Sequence, residues 1–352
     1  MERITYLFGA GASYYALPII NELPSRIANI LSRNLFKDIK SKMEGVNKYS
    51  HNSLKTHYEL IKLIEWLQKE AAKHQTIDTF AKKLFVRGDN ENLIKLKIAL
   101  SAYFMLEQSV DDDVINTISE NGKKRLDYRY DSFFASILGK NAFDLPKHVN
   151  ILSWNYDYQF EIAYSEYTLS KTILENQKFL RVKSKNSTDE DNNCFNIIKI
   201  NGTVGSKPIF PLTKLYIPTD NLGLKFSNVF DEIVNWYIKI KANNTSPDLS
   251  FAWEEDINAP SSIVNKAVSS CQETAILVII GYSFPFFNRE IDRKIINSMK
   301  NLRTVYFQDP DPDSIMTKFR TIRQDILLPG SIEMLDFIPY NVTTEFLLPP
   351  EL

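Results

Sequence analysis

Two short stretches set amides and a carboxylate where apolar runs end. In "LSWNYDYQFE", starting at Leu152, the run delivers Asn155 and Asp157 two residues apart. In "IIKINGTVGS", starting at Ile197, it delivers Asn201 and then Gly202. An amide does not titrate near neutrality, so Asn155 and Asn201 can hold a hydroxyl or position a water but cannot usefully take up a proton. Asp157 brings a charge. The chemistry on offer is therefore orientation and electrostatics. Asn155 and Asp157 share a face if the strand continues; if the chain turns, both reach the strand ends, where open α/β sheets bind ligands. Asp157 can equally cap the next helix, and Asn201-Gly202 alone reads as a turn.

Three other stretches have the same character. "FGAGAS" (Gly9, Ala10, Gly11, Ala12, Ser13) follows the first apolar run, and two glycines one residue apart let the backbone approach a phosphate closely. A dinucleotide fingerprint needs a third glycine where Tyr14 stands, and no Lys-Ser/Thr pair follows to make a P-loop. "IIGYSFPFFNREID" carries Gly281, Tyr282 and Ser283 out of another apolar run, with Asn288 and Asp292 near the next helix start. Its plain alternative is a loop with capping residues. "YFQDPDPDS" sets Asp309 at a strand end, to meet a ribose hydroxyl or only to begin a turn.

These residues need a scaffold that gathers strand ends. Apolar runs at Ile4–Phe8, Val149–Trp154, Phe195–Ile200, Ala275–Gly281 and Thr304–Phe307 predict buried strands. Helical spacing predicts helices over Ile19–Ser41, Leu54–Lys73, Asn92–Glu107, Tyr130–Leu138, Tyr158–Tyr167, Asn228–Ala242, Pro260–Cys271 and Glu290–Asn301, and another opening at "DPDPDS". "KSKNSTDEDNN" reads as a solvated loop. Such alternation predicts one α/β domain over 1–352, Rossmann-like and doubly wound around a mostly parallel sheet. Residues 20–140 form a mainly helical insertion and 145–330 the main part of the α/β core.

A net charge of -1 in 352 residues gives no global reason to bind nucleic acid or an anionic membrane. Cys194 and Cys271 are too few for a disulfide framework or a four-cysteine zinc site; each reads as a small buried apolar residue. No His/Cys/acid spacing suggests a metal. The N-terminus lacks the pattern of a signal peptide and the most apolar stretch is too short to span a bilayer, so a cytoplasmic protein is expected.

Taken in order, the GAG-x-S loop (Gly9, Ala10, Gly11, Ser13), Asn155 with Asp157, Asn201-Gly202 and Gly281-x-Ser283 resemble the sirtuin (silent information regulator) family. They resemble most the bacterial sirtuin-like proteins of antiphage defence, in which "GYSFPFFNREID", "FAWEED" (Phe251–Asp256) and "TIDTFAKKL" (Thr76–Leu84) are of a familiar type. The resemblance implies NAD+ as substrate and cleavage of its nicotinamide–ribose bond. It implies that Gly9 to Ser13 cradle the pyrophosphate, Asn155 orients ribose and water, and Asp157 holds the carboxamide. Ser283 would meet ribose or phosphate and Asp309 the adenosine end, while Gly202, Gly281, Tyr282 and Asn288 complete the binding set.

Two departures qualify this. Without four cysteines a zinc-dependent peptide deacylase is not expected. Asn201 stands where the family has its histidine base, so turnover is slowed or rests on another group. Of His51, His57, His74 and His148, His74 beside "TIDTF" is the candidate to swing over the site; otherwise it is a solvated helix-end residue. His148 precedes the second strand, opposite the pocket, and His51 and His57 read as exposed helix residues. The leading expectation is an NAD+ glycohydrolase of abortive infection, homo-oligomeric and awaiting a trigger or a second defence protein. The alternative is a catalytically weak NAD+ or ADP-ribose binder that senses or scaffolds.

Overall fold

The computed structural model describes residues 2–44, 52–109, 126–185 apart from 169 and 171, 191–205 apart from 192, 226–323 apart from 257 and 260, and 335–352. His51 and part of the "KSKNSTDEDNN" loop lie outside them. The chain enters as β1 (Arg3–Phe8) and makes a 3-10 turn at Ala10–Ser13. It then runs through α1 (Leu23–Leu31), α2 (Asn34–Glu44), α3 (Asn52–Lys73), α4 (Ile77–Val86), α5 (Asn90–Ser109) and α6 (Tyr128–Ile137). Next come β2 (Val149–Ser153), α7 (Gln159–Tyr164), α8 (Ile173–Phe179), β3 (Val182–Lys183) and β4 (Asn196–Lys199). The remainder is α9 (Phe226–Asn243), α10 (Ile263–Cys271), β5 (Thr274–Ile280), α11 (Arg289–Ile296), β6 (Thr304–Gln308), α12 (Pro312–Ile322) and β7 (Asp336–Tyr340).

All seven strands are parallel, in the order β3-β4-β2-β1-β5-β6-β7. The runs of β1, β2, β4, β5 and β6 are largely apolar because both faces of the sheet are covered there. Leu7, Leu152, Ile198, Leu277, Ile279 and Phe307 pack toward α10, α11 and α12. Tyr6, Phe8, Ile151, Ile197, Val278 and Ile280 pack toward α6, α7 and Phe346. This is the doubly wound α/β architecture expected. Register then places the site: Phe8 lies opposite Ser153 and Ile280, and Ser153 opposite Lys199. Four strands thus end in one row, so the segments after them leave the sheet together. Between β1 and β5 the winding reverses, the crevice position of such sheets.

Several boundaries differ from expectation for identifiable reasons. The helix over 19–41 is a 3-10 turn followed by two helices that part at Ser32 and Arg33. Helix α6, assigned to the insertion, packs on the sheet through Tyr130, Phe133 and Phe134. Helix α9, assigned to the α/β core, instead packs with α1–α5 through Phe230, Ile233 and Trp236. Amphipathic spacing shows that a helix buries one face, not against what. Strand β7, beyond residue 330, is a half-exposed edge strand containing Pro339 and so lacks the apolar pattern. Cys194 is half-buried rather than buried, its thiol directed at Asp191. No described helix is long and apolar enough to cross a membrane.

Candidate functional site at the strand ends

The ladder continues past the sheet. The Trp154 amide donates to the Phe8 carbonyl (3.0 Å) and the Ile200 amide to that of Ser153 (2.9 Å). The Gly9 amide donates to the Ile280 carbonyl and the Gly11 amide to the Gly281 carbonyl, both at 3.0 Å. The β1 and β5 loops touch through bare backbone. A Cβ on Gly281, whose φ is +57°, would lie 2.5 Å from the Ala12 nitrogen. Gly88 has φ +70° with nothing within 4 Å of a Cβ, so it separates conformational cost from collision. Gly88→Ala is expected to cost about 1 kcal/mol and Gly281→Ala about 2 kcal/mol more, read as denaturant midpoints. Equal costs would mean that the loops part easily. The same packing bears on the phosphate cradle expected of Gly9 to Ser13. The amides of Gly9, Gly11 and Ala12 are already bonded, the last to the Gly9 carbonyl at 3.0 Å, so the loop offers a ligand fewer donors than its glycines suggest.

Around this loop the side chains close into a cluster. Half-buried Asn155 donates from Nδ2 to the Gly9 carbonyl (2.8 Å) and to Ser13 Oγ (3.3 Å). Ser13 Oγ donates to Asp157 Oδ2 (2.8 Å) and lies 3.0 Å from the Tyr130 hydroxyl. Asp157 Oδ1 accepts the Gln159 amide (3.1 Å) in a turn leading into α7, whose N-cap is Tyr158, so it shapes the helix entry and joins the cluster without capping the helix. With both carboxylate oxygens engaged inside the protein, Asp157 orients Ser13 rather than reaching outward. Burial pushes its carboxyl above the usual range, while the Lys199 charge pulls it back. Lys199, fully buried on β4, pairs with Glu161 on α7 (2.8 Å) and donates to the Asp157 main-chain carbonyl.

The other expected residues fall into two groups. Asn201 Nδ2 donates to the Trp154 carbonyl (3.1 Å), while its Oδ1 is buried without a donor among the described residues. Gly202, at φ +72°, lets the chain press against the Asp248 carbonyl, so packing accounts for this glycine. Buried Tyr282 stacks on Trp154 at 5.9 Å and donates to Asp292 (2.8 Å), while Asn288 Nδ2 donates to the Tyr282 hydroxyl (3.1 Å). Asn288 therefore holds the loop. Phe284, next along, takes φ +50°, backbone strain of the kind that collects at sites.

Ser283, Asp309 and His74 make no hydrogen bond to Gly9, Ser13, Asn155 or Asp157 among the described residues. Ser283 is exposed, its carbonyl taken by Lys318 (3.1 Å). Asp309 Oδ1 accepts the Asp311 amide (3.0 Å), the turn-starting arrangement. His74 ends α3, its Nδ1 2.9 Å from the Glu70 carbonyl and its ring stacked on Phe80 at 4.6 Å. The ring's packing partner is thus α4, not the site. His57 is half-buried against Asp231 rather than exposed (2.9 Å). His148 precedes β2, at the opposite end of the strands from the site.

Sequence reasoning missed Asp78, on the first turn of α4 after its Thr76 cap (Thr79 amide to Oγ1, 3.0 Å). It is half-buried and makes no ion pair or hydrogen bond among the described residues. Burial pushes its carboxyl up to about 6. Burial also raises the Tyr156 and Tyr282 hydroxyls, and the Asp78 charge adds to each, so both lie within reach of its field. The signal in "TIDTF" was the acid just inside a Thr cap; nothing local told what it faces. Among the described residues no group of three His, Cys, Asp or Glu could hold a metal ion. No protein-family model matches the chain, and no curated protein matches it.

Proposed function

We propose that the chain is a sirtuin-like NAD+ glycohydrolase that releases nicotinamide and ADP-ribose, as the effector of an antiphage system held quiet until a trigger or second protein engages it. The observation that carries this reading is the Asn155 carboxamide, fixed to the Gly9 carbonyl and Ser13 hydroxyl where the β1, β2 and β5 loops meet. In the reaction the bond between ribose C1′ and the nicotinamide nitrogen breaks and its electron pair neutralises the pyridinium. Water then bonds to C1′ and gives up a proton. Asn155 would hold the ribose and the water, work of orientation that lowers the barrier without proton transfer. Asn201 Oδ1, buried with no donor among the described residues, would accept a ribose hydroxyl only once the Asn201 turn opens to admit one. Asp78, poised near neutrality, is the group able to take the proton that Asn201 cannot.

Nicotinamide release by the chain purified with any native companion tests this. Asn155→Ala is expected to lower it about 10²- to 10³-fold, with ADP-ribose affinity changing less. Release equal in the wild type and Asn155→Ala would end the enzyme reading. The committed loop amides and the non-titrating Asn201 favour a second reading, a binder of NAD+ or ADP-ribose that senses or scaffolds. Calorimetry separates them: NAD+ bound and recovered uncleaved supports the binder, and conversion to ADP-ribose excludes it.

A further inference from the structure

The glycine loop is held from behind by one side chain that its own sequence does not announce. Arg129, buried on the first turn of α6, donates from Nη2 to the carbonyls of Gly11 and Ala12, both at 3.0 Å. Its fork closes on Asp127, Nε to Oδ1 at 2.9 Å and Nη2 to Oδ2 at 2.7 Å, and Asp127 is itself fully buried. Asp127 Oδ2 also accepts the Tyr15 amide (3.0 Å), so both ends of the ion pair grip the same loop. One helix turn thus takes three main-chain groups between Gly11 and Tyr15, and Tyr130 on the same helix reaches Ser13 Oγ (3.0 Å).

The remaining walls of the Arg129 seat come from far along the chain. Nη1 donates to the Thr343 carbonyl (3.2 Å), and the guanidinium lies 4.6 Å from the Tyr15 ring centre and 4.9 Å from that of Phe346. Phe346 packs on Phe8 and Tyr130, with centroids 5.1 and 5.0 Å away. Gln308, at the end of β6, holds this segment through the Val342 carbonyl (2.7 Å) and the Leu347 amide (2.9 Å).

We propose that Arg129 is the positioning residue of the Gly9–Ser13 loop, seated by Asp127 and by the Val342–Leu347 segment, and that it sets ligand affinity at the strand ends from behind. Peptide planarity supplies the mechanism. Two successive carbonyls turned toward the guanidinium turn the following amides, those of Ala12 and Ser13, the other way, which holds the Ala12 amide on the Gly9 carbonyl that Asn155 also meets. They also fix Ser13, on which Asn155 and Asp157 both depend. A planar fork can serve a carboxylate and two carbonyls at once; an ammonium cannot reproduce that geometry.

The effect on affinity rests on the nucleotide reading of the site; the effect on the loop does not, and the two are measured separately. Amide hydrogen exchange reads the loop, and calorimetry with ADP-ribose reads affinity. In Arg129→Lys the Ala12–Tyr15 amides are expected to exchange about tenfold faster or more while those of β5 stay unchanged, and ADP-ribose affinity is expected to fall about tenfold. Phe346→Leu, which stays apolar with some loss of volume and removes the ring from the guanidinium, should shift both in the same direction by less. Should Arg129→Lys exchange faster throughout the sheet, Phe346→Leu decides, with acceleration confined to the loop as support. Unchanged loop exchange in a folded variant overturns the positioning role. Faster loop exchange in a protein whose wild type binds no ADP-ribose keeps that role and removes the nucleotide reading.

Discussion

Asp78→Asn is expected to make the protein more stable at neutral pH and almost inactive. The carboxyl sits on the first turn of α4, where the helix dipole favours a negative charge, yet burial still drives it up to about 6 from an ordinary 3.8. A folded value above the unfolded one means that the group's contribution is fully present below about pH 4 and is lost as pH rises through about 6. That interval is worth at most about 3 kcal/mol, and the part of the side chain that water reaches reduces it to about 1–2 kcal/mol. Denaturant titrations should therefore find Asp78→Asn ahead of the wild type at pH 8, with the lead vanishing by pH 4. The Tyr156 and Tyr282 hydroxyls, both raised, stay neutral across this range and do not obscure it.

Activity should move the other way. Loss of a general base costs about 10²- to 10⁴-fold, and the rise of wild-type activity through pH 6 should be missing from the variant's profile. Stability gained together with activity lost is the pattern of a charge kept for function against the interest of the fold. An Asp78→Asn protein with the wild-type rate and pH limb would return the proton to another acceptor.

How far the sequence could lead follows from which contacts are local. The strands β1, β2, β4, β5 and β6 were legible because a parallel sheet covered on both faces demands unbroken apolar runs, and "ILVII" can hardly read otherwise. Their ends were legible for the same reason, so Asn155, Asp157 and the glycine loop could be listed as neighbours before their contacts were known. Which group grips which was not legible. Arg129 meets the Gly11 carbonyl across 118 residues, and Ser13 meets Asp157 across 144. No local pattern encodes such pairings. Asp157 shows the limit most clearly: in the sequence helix capping and site chemistry read as rivals, yet Tyr158 is the N-cap and the two Asp157 oxygens serve the Gln159 amide of the entry turn and the Ser13 hydroxyl together.

Lys199→Met is expected to be the most damaging of these substitutions to the fold, and its repair shows why. Alternation along β4 sends Lys199 to the same face as Ile197, toward α7, and there its charge has nothing but protein around it. Glu161 meets it through both carboxylate oxygens (2.8 and 2.9 Å), with Gln177 donating to the same carboxylate (2.9 Å). Removing the lysine leaves Glu161 buried and uncompensated, a loss of about 3–5 kcal/mol. Glu161→Gln added to Lys199→Met removes the orphan charge and should recover most of that loss, because replacing both members of a buried pair is far cheaper than breaking it. Function should not return with the fold. The Lys199 charge opposes the upward push of burial on Asp157 while the Glu161 charge adds to it; the lysine has the larger effect, so with both charges gone that carboxyl still rises. A carboxyl that takes up a proton more readily accepts less strongly from Ser13, and the Ser13–Asn155 contact loosens with it. Chemical denaturation should thus find a nearly restored double variant while nicotinamide release stays low and recovers only as pH is raised. A double variant as unstable as Lys199→Met alone would mean that the lysine's packing, and not its charge, holds α7 to the sheet.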